Sequence, residues 1–159
     1  MNIESLLSIT PFSWTAIGTS ILCGSIIGFE RQLRGKPVGI RTSSLIVLGT
    51  YIFVASSALV ATSMSDPSRI IGQVVTGIGF LGAGVMLAKE GVVVGVTSAA
   101  TIWGLAAVGV CIAVIDSFVA IKLSVVMVAI LYGVDALEDY SSALTRGVHS
   151  KFSHWRNNG

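Results

Sequence analysis

Residues 66–84 read Asp66-Pro67-Ser68-Arg69-Ile70-Ile71-Gly72-Gln73-Val74-Val75-Thr76-Gly77-Ile78-Gly79-Phe80-Leu81-Gly82-Ala83-Gly84. A charged, proline-marked start runs into an apolar segment crowded with glycine. As a soluble helix this is a poor sequence, because each interior glycine costs roughly 0.5–1 kcal/mol relative to alanine. In lipid it makes sense, because helices there associate through small residues that let backbones approach. Composition agrees. Of 159 residues, 53% are hydrophobic and 11% charged, against about 25% charged in ordinary soluble domains. A soluble fold of this size could not hide so much apolar surface, so the chain reads as one integral membrane domain. A formal charge of +2 is too small to argue for nucleic acid as a partner.

Five apolar runs approach the roughly 17–25 residues that a transmembrane helix needs. They cover residues 11–29, 42–64, 70–88, 92–115 and 118–134. The expected fold is an all-α bundle of five transmembrane helices. Barrel strands would instead show alternating segments of about ten residues. The first ten residues hold Glu4 and no Lys or Arg, so they lack the basic start of a secretory signal, and the first run is expected to remain. Arg31, Arg34, Lys36 and Arg41 fall in the first loop, Lys89 in the third, and Arg146, Lys151 and Arg156 in the tail. Only Arg69 and Lys122 fall opposite. Basic loops stay cytoplasmic, which puts the N-terminus outside and the C-terminus inside. Residues 1–134 form the membrane domain. Residues 135–159 form a short cytoplasmic tail, helical at first, whose Trp155 could rest on the inner membrane surface or sit in a frayed end.

Gly77, Gly79 and Gly82 match G-x-G-x-x-G by spacing, but a dinucleotide site needs a preceding strand and an aqueous phosphate pocket. Helix packing is the better reading. Gly72, Thr76, Gly79 and Ala83 follow 4, 3, 4 spacing and share a face, which Gly77, Gly82 and Gly84 widen. Gly24 and Gly28 form G-x-x-x-G on the first span. Thr97, Ser98 and Thr101 give the fourth span a hydroxyl face whose default use is also packing. Cys23 and Cys111 read as small buried hydrophobes.

Two polar clusters mark the ends of the bundle. On the outer side, Asp66 can cap the third span with Pro67 at its first position. Arg69 and Gln73 share a face with it. Together Asp66, Arg69 and Gln73 read either as helix capping or as a polar mouth for an ion or partner. On the cytoplasmic side, Glu30, Arg31, Arg41 and Thr42 read either as topology anchors or as a functional cluster shaped by the turn at Gly35, Pro37 and Gly39. Asp116 and Lys122 mark the outer boundary. In the tail, Asp135, Glu138 and Asp139 form an acidic face that is solvated or attracts Mg²⁺ weakly through water. His149 and His154 stand alone in the tail. There is no catalytic constellation, so the chain reads as a non-enzyme. It has no cofactor, with Mg²⁺ considered only as a ligand, and no metal site can be assigned.

Four blocks resemble the MgtC/SapB family of bacterial inner-membrane proteins. They are Gly24-Ser25-Ile26-Ile27-Gly28-Phe29-Glu30-Arg31, Gly35-Lys36-Pro37-Val38-Gly39-Ile40-Arg41-Thr42, residues 66–69 leading into Gly77-Ile78-Gly79-Phe80-Leu81-Gly82-Ala83-Gly84, and Gly95-Val96-Thr97-Ser98-Ala99-Ala100-Thr101-Ile102-Trp103. Their order and spacing cover about residues 18 to 115. The resemblance implies a multi-pass inner-membrane protein linked to magnesium homeostasis and to adaptation to low Mg²⁺ or acid. Some relatives support the intracellular survival of pathogens, and some are proposed to restrain the F-type ATP synthase. Many carry a soluble C-terminal domain that this chain is too short to include. The expected function is regulation of a membrane partner such as the F-type ATP synthase. An ion transporter or channel, with Mg²⁺ as the candidate ion, is the alternative, and a purely structural bundle ranks third. The expected partners are the lipid bilayer and a second copy of the chain, as a dimer.

Overall fold

The computed structural model describes residues 8–60, 68–89 and 92–140. Five helices and one hairpin lie within them. Helix α1 spans Trp14–Leu33, α2 Ile40–Val60, α3 Ser68–Gly84, α4 Val96–Val114 and α5 Ser117–Tyr140. Strands β1 (Leu87–Lys89) and β2 (Val92–Val94) join α3 to α4.

Local chemistry sets several boundaries. The Ser13 hydroxyl accepts from the Ala16 amide at 3.1 Å and caps α1, satisfying one of the donors that every helix start leaves open. Asp116 does the same for α5, accepting from Phe118 N at 2.7 Å and Val119 N at 3.3 Å. Its role is that of a cap as well as a boundary marker.

The hairpin departs from the sequence expectation, which carried the third run to residue 88 and began the fourth at residue 92. Helix α3 stops at Gly84, and Val92–Val94 pairs antiparallel with Leu87–Lys89, Leu87 opposite Val94. Three successive β-branched residues favour a strand. Gly95 then turns the chain at φ +92°, with the Val85 carbonyl directly over the place a side chain would occupy. Only glycine fits there.

Among the described residues, three helices are long and apolar enough to cross a membrane, at Ile40–Leu59, Val96–Val114 and Ser117–Val134. Helix α3 has 17 residues, about 26 Å of helix against a hydrocarbon core of about 30 Å. Helix α1 is long enough at 20 residues, but Glu30 and Arg31 lie inside it.

Helix α4 is the centre of the bundle. Half of its apolar window is buried, against 11% of that of α5. Ile102, Leu105, Val108 and Ile112 meet Cys23 and Ile27 of α1 and Val47 and Tyr51 of α2 in one apolar core. The α2–α4 crossing is tight at Gly109, where an added Cβ would stand 2.6 Å from Val47 O and from Thr50 Cβ. Three buried hydroxyls are satisfied within their own helices. Ser20 donates to Ala16 O at 2.7 Å, Ser57 to Val54 O at 2.6 Å and Ser124 to Ala120 O at 2.9 Å.

Candidate functional site

The polar end of the bundle is assembled by close helix contacts. An added Cβ at Gly28 would stand 2.6 Å from Ile40 Cα. One at Gly24 would meet the α2 backbone at Ser44, 2.6 Å from its amide nitrogen. The end of α1 therefore lies directly against the start of α2. A Cβ added at Gly82, near the end of α3, would stand 3.5–3.8 Å from Ala99 near the start of α4. These approaches bring the ends of α1 and α3 and the starts of α2 and α4 to one side of the molecule.

Arg31 and Glu30 lie at that convergence and are buried, at 3% and 7% exposure. The Arg31 Nη2 donates to Ser98 Oγ on α4 at 2.6 Å, a short charge-assisted bond of the stronger kind. Glu30 Oε1 lies 2.7 Å from Arg34 Nε one turn on. That ion pair lacks hydrogen-bond alignment, so neither Glu30 oxygen accepts a hydrogen bond among the described residues, and Arg31 Nε makes none. The Arg34 guanidinium lies 5.1 Å from the Tyr132 ring centroid on α5, a cation–π contact. One continuous polar group thus joins α1, α4 and α5. Buried charges with unfilled hydrogen-bonding positions are costly, and such networks are a frequent mark of function.

The loop from α1 to α2 closes the group. Gln32 Oε1 accepts from the Ile40 amide at 3.3 Å. Val38 is buried with φ 70°, and its carbonyl accepts from Ser43 Oγ at 3.0 Å. A β-branched residue in the left-handed region is strained. Burial of its side chain in the core is what holds it there.

The other expected residues are dispersed. Arg41 and Thr42 open α2 and are exposed, separate from the buried Glu30–Arg31 pair. Arg69 and Gln73 are exposed on α3, and Asp66 lies outside the described residues. Thr97 is exposed, whereas Thr101 is buried and donates to Thr97 O at 2.8 Å. Around Gly72, Gly77, Gly79 and Gly84 an added Cβ would meet nothing within 4 Å. That departs from the expectation that the small face of α3 packs inside the bundle. Among the described residues the face is open there, and the approach to α4 at Gly82 lies toward the far end of the helix. The acidic side chains Asp135, Glu138 and Asp139, and the tail from residue 141, lie outside what the structure describes. No group of three or more His, Cys, Asp or Glu residues placed to hold a metal ion occurs among the described residues.

Three participants were not singled out by sequence as members of the cytoplasmic cluster. Ser98 read as part of a packing face, Arg34 as one of the loop cations that set the topology, and Tyr132 had no reading. The spacing of Arg31 and Arg34, three apart on one face, was the available signal.

Comparison with known proteins gives a consistent picture. The family model described as MgtC family matches residues 17–140. Protein MgtC of Brucella abortus (strain 2308) is 48% identical over 103 residues, covering 63% of this chain and 42% of that protein. YhiD of Escherichia coli (strain K12), named as a candidate magnesium transporter, is 48% identical over 100 residues, covering 58% and 46%. Protein MgtC of Salmonella typhimurium (strain LT2) is 45% identical over 91 residues, covering 57% and 38%. The matched segments amount to less than half the length of each of these relatives. No solved structure matches the chain significantly.

Proposed function

This chain belongs to the MgtC family, and on that premise we propose that it serves magnesium homeostasis and adaptation to low Mg²⁺ or acid by acting on a partner in the bacterial inner membrane. The F-type ATP synthase is the partner that the family resemblance suggests, and a second copy of this chain, covering the open face of α3, is the first companion. The observation that carries a regulatory reading is the packing of the interior. Between the polar end and the opposite side, the centre is filled by Ile27, Val47, Ile102, Leu105 and Val108, each at most 2% exposed. The buried polar groups in that region bond to their own helices. Such an interior is suited to holding shape and presenting surfaces.

The second reading is transport of an ion, Mg²⁺ first. It is favoured by the naming of the Escherichia coli relative as a candidate magnesium transporter. Purified protein in liposomes loaded with a Mg²⁺-sensitive dye separates the two. The expected result is Mg²⁺ entry no faster than in protein-free vesicles. Saturable, protein-dependent entry would overturn regulation in favour of transport.

The proposed topology has five spans, the N-terminus outside and the C-terminus cytoplasmic. Its support is the side shared by the first loop and the hairpin, where four basic residues of the loop cluster. Reporter fusions after Arg34 and at the C-terminus are expected to read cytoplasmic. A periplasmic reading at either position would reverse the assignment.

A further inference from the structure

Helix α2 presents a face whose chemistry changes sharply along its length. Arg41, Leu45, Ile52 and Leu59 follow 4, 7, 7 spacing and so form one stripe. Leu45, Ile52 and Leu59 are exposed at 63%, 38% and 62%. Arg41, its neighbour Thr42, and Lys36 on the preceding loop are also exposed. The Gly28–Ile40 contact fixes the depth of the cationic end. Arg41 starts about one and a half helical turns, or about 8 Å, below the end of α1 at Leu33. Arg41 and Thr42 thus stand at the start of a bulky apolar stripe, with Lys36 five residues before Arg41 on the loop.

Two other exposed faces among the described residues differ from it. The outer surface of α5 offers Leu123, Val126 and Ile130 with one exposed cation, Lys122, where the α2 face has two cations and a hydroxyl. The open face of α3 pairs Arg69 with glycines, which give an acyl chain little to pack against.

We propose that this face of α2 binds one anionic phospholipid. The phosphate group lies against Arg41, Thr42 and Lys36, and an acyl chain lies along Leu45, Ile52 and Leu59. Charge complementarity selects the occupant. Basic side chains at a bilayer surface attract anionic headgroups, and the positive end of the α2 dipole adds to the same field. The inference needs only that the chain lies in a membrane and is independent of its role in magnesium homeostasis.

Native mass spectrometry of the full chain in a neutral detergent tests it. Palmitoyl-oleoyl phosphatidylglycerol and the phosphatidylcholine with the same chains are supplied at equal concentration. The expected result is retention of one phosphatidylglycerol with a preference of about tenfold or more, since each basic residue near an anionic surface contributes about fivefold. The double variant Lys36→Gln/Arg41→Gln should lose that preference. The charge-conserving Lys36→Arg/Arg41→Lys should keep it, which separates loss of the site from damage to the fold. Sodium phosphate at the same concentration should leave the lipid in place. Equal retention of the two lipids, an unchanged preference in the glutamine variant, or displacement by phosphate alone would each overturn the proposal. So would a dimer mass that vanishes in the glutamine variant, because a second copy would then occupy the face.

Discussion

Replacing Gly28 with leucine should abolish the folded bundle, and Gly24→Leu should do the same. At both positions the obstruction is the backbone of α2, with Ile40 Cα 2.6 Å from the Cβ that Gly28 lacks and Ser44 N 2.6 Å from that of Gly24. Flexible side chains can swing away from an intruding methyl group; a helix backbone can yield only if the whole helix moves. The usual cost of overpacking a core is about 1–3 kcal/mol, and forcing two packed helices apart should exceed it. Even Gly28→Ala should therefore measurably lower the midpoint of unfolding in mixed micelles. Gly79→Leu is the control. Nothing within 4 Å would meet its Cβ, so the monomer should keep its midpoint, and any defect should appear only in self-association. If Gly28→Leu and Gly79→Leu unfold at the same midpoint, the α1–α2 approach is not what holds this end together.

That contrast also shows where sequence was a good guide. The G-x-x-x-G of α1 names a close helix contact because the spacing puts both glycines on one face, and a neighbouring helix in sequence was available to meet it. The richer glycine face of α3 carries the same local signal, yet among the described residues nothing stands within 4 Å of a Cβ added at Gly72, Gly77, Gly79 or Gly84. Small residues state that a backbone can approach; they do not state whose. Gly109 shows the reverse. It sits among apolar neighbours with no pattern to distinguish it, yet it marks a close approach of α2 to α4.

The helices themselves were legible from hydropathy, since a run of about twenty apolar residues has few alternatives in lipid. The hairpin was not. A short apolar run such as Val92-Val93-Val94 has no periodicity that separates strand from buried helix. Its bounding glycine was visible, but the φ of +92° that makes Gly95 a turn required the structure. The cytoplasmic cluster was half legible. Glu30 and Arg31 stood out as charges at a span boundary. The partner of Arg31 lies 67 residues away, and only the return of α4 through the hairpin brings it near. Arg41, grouped with them by sequence, faces outward instead, because α2 begins a turn and a half lower than α1 ends.

The second large effect is expected at Arg31. Its side chain is 97% buried by its 3% exposure, and its short bond to Ser98 is the hydrogen bond that ties α1 to α4 at this end. Arg31→Met removes the cation and keeps much of the side-chain volume. Breaking a buried charge pair by removing one partner typically costs 3–5 kcal/mol. Arg34 remains beside Glu30 as a counter-charge, so about 3 kcal/mol is expected here. Ser98→Ala removes only the acceptor and should cost about 1.5–3 kcal/mol, the range for hydrogen bonds to charged groups. In the double variant the second substitution should cost almost nothing, because the bond it would break is already gone. Unfolding in mixed micelles, read by far-ultraviolet circular dichroism for all four proteins, gives the coupling between the two positions. Additivity within about 0.5 kcal/mol, as seen for independent sites, would mean that the 2.6 Å contact contributes nothing of its own. Glu30→Gln sharpens the result. It removes the carboxylate charge paired with Arg34 and adjacent to the buried Arg31, so it should destabilise more than Ser98→Ala even though it deletes no hydrogen bond among the described residues. A milder effect than Ser98→Ala would show that the positions left open around the Glu30 carboxylate cost more than its charge contributes.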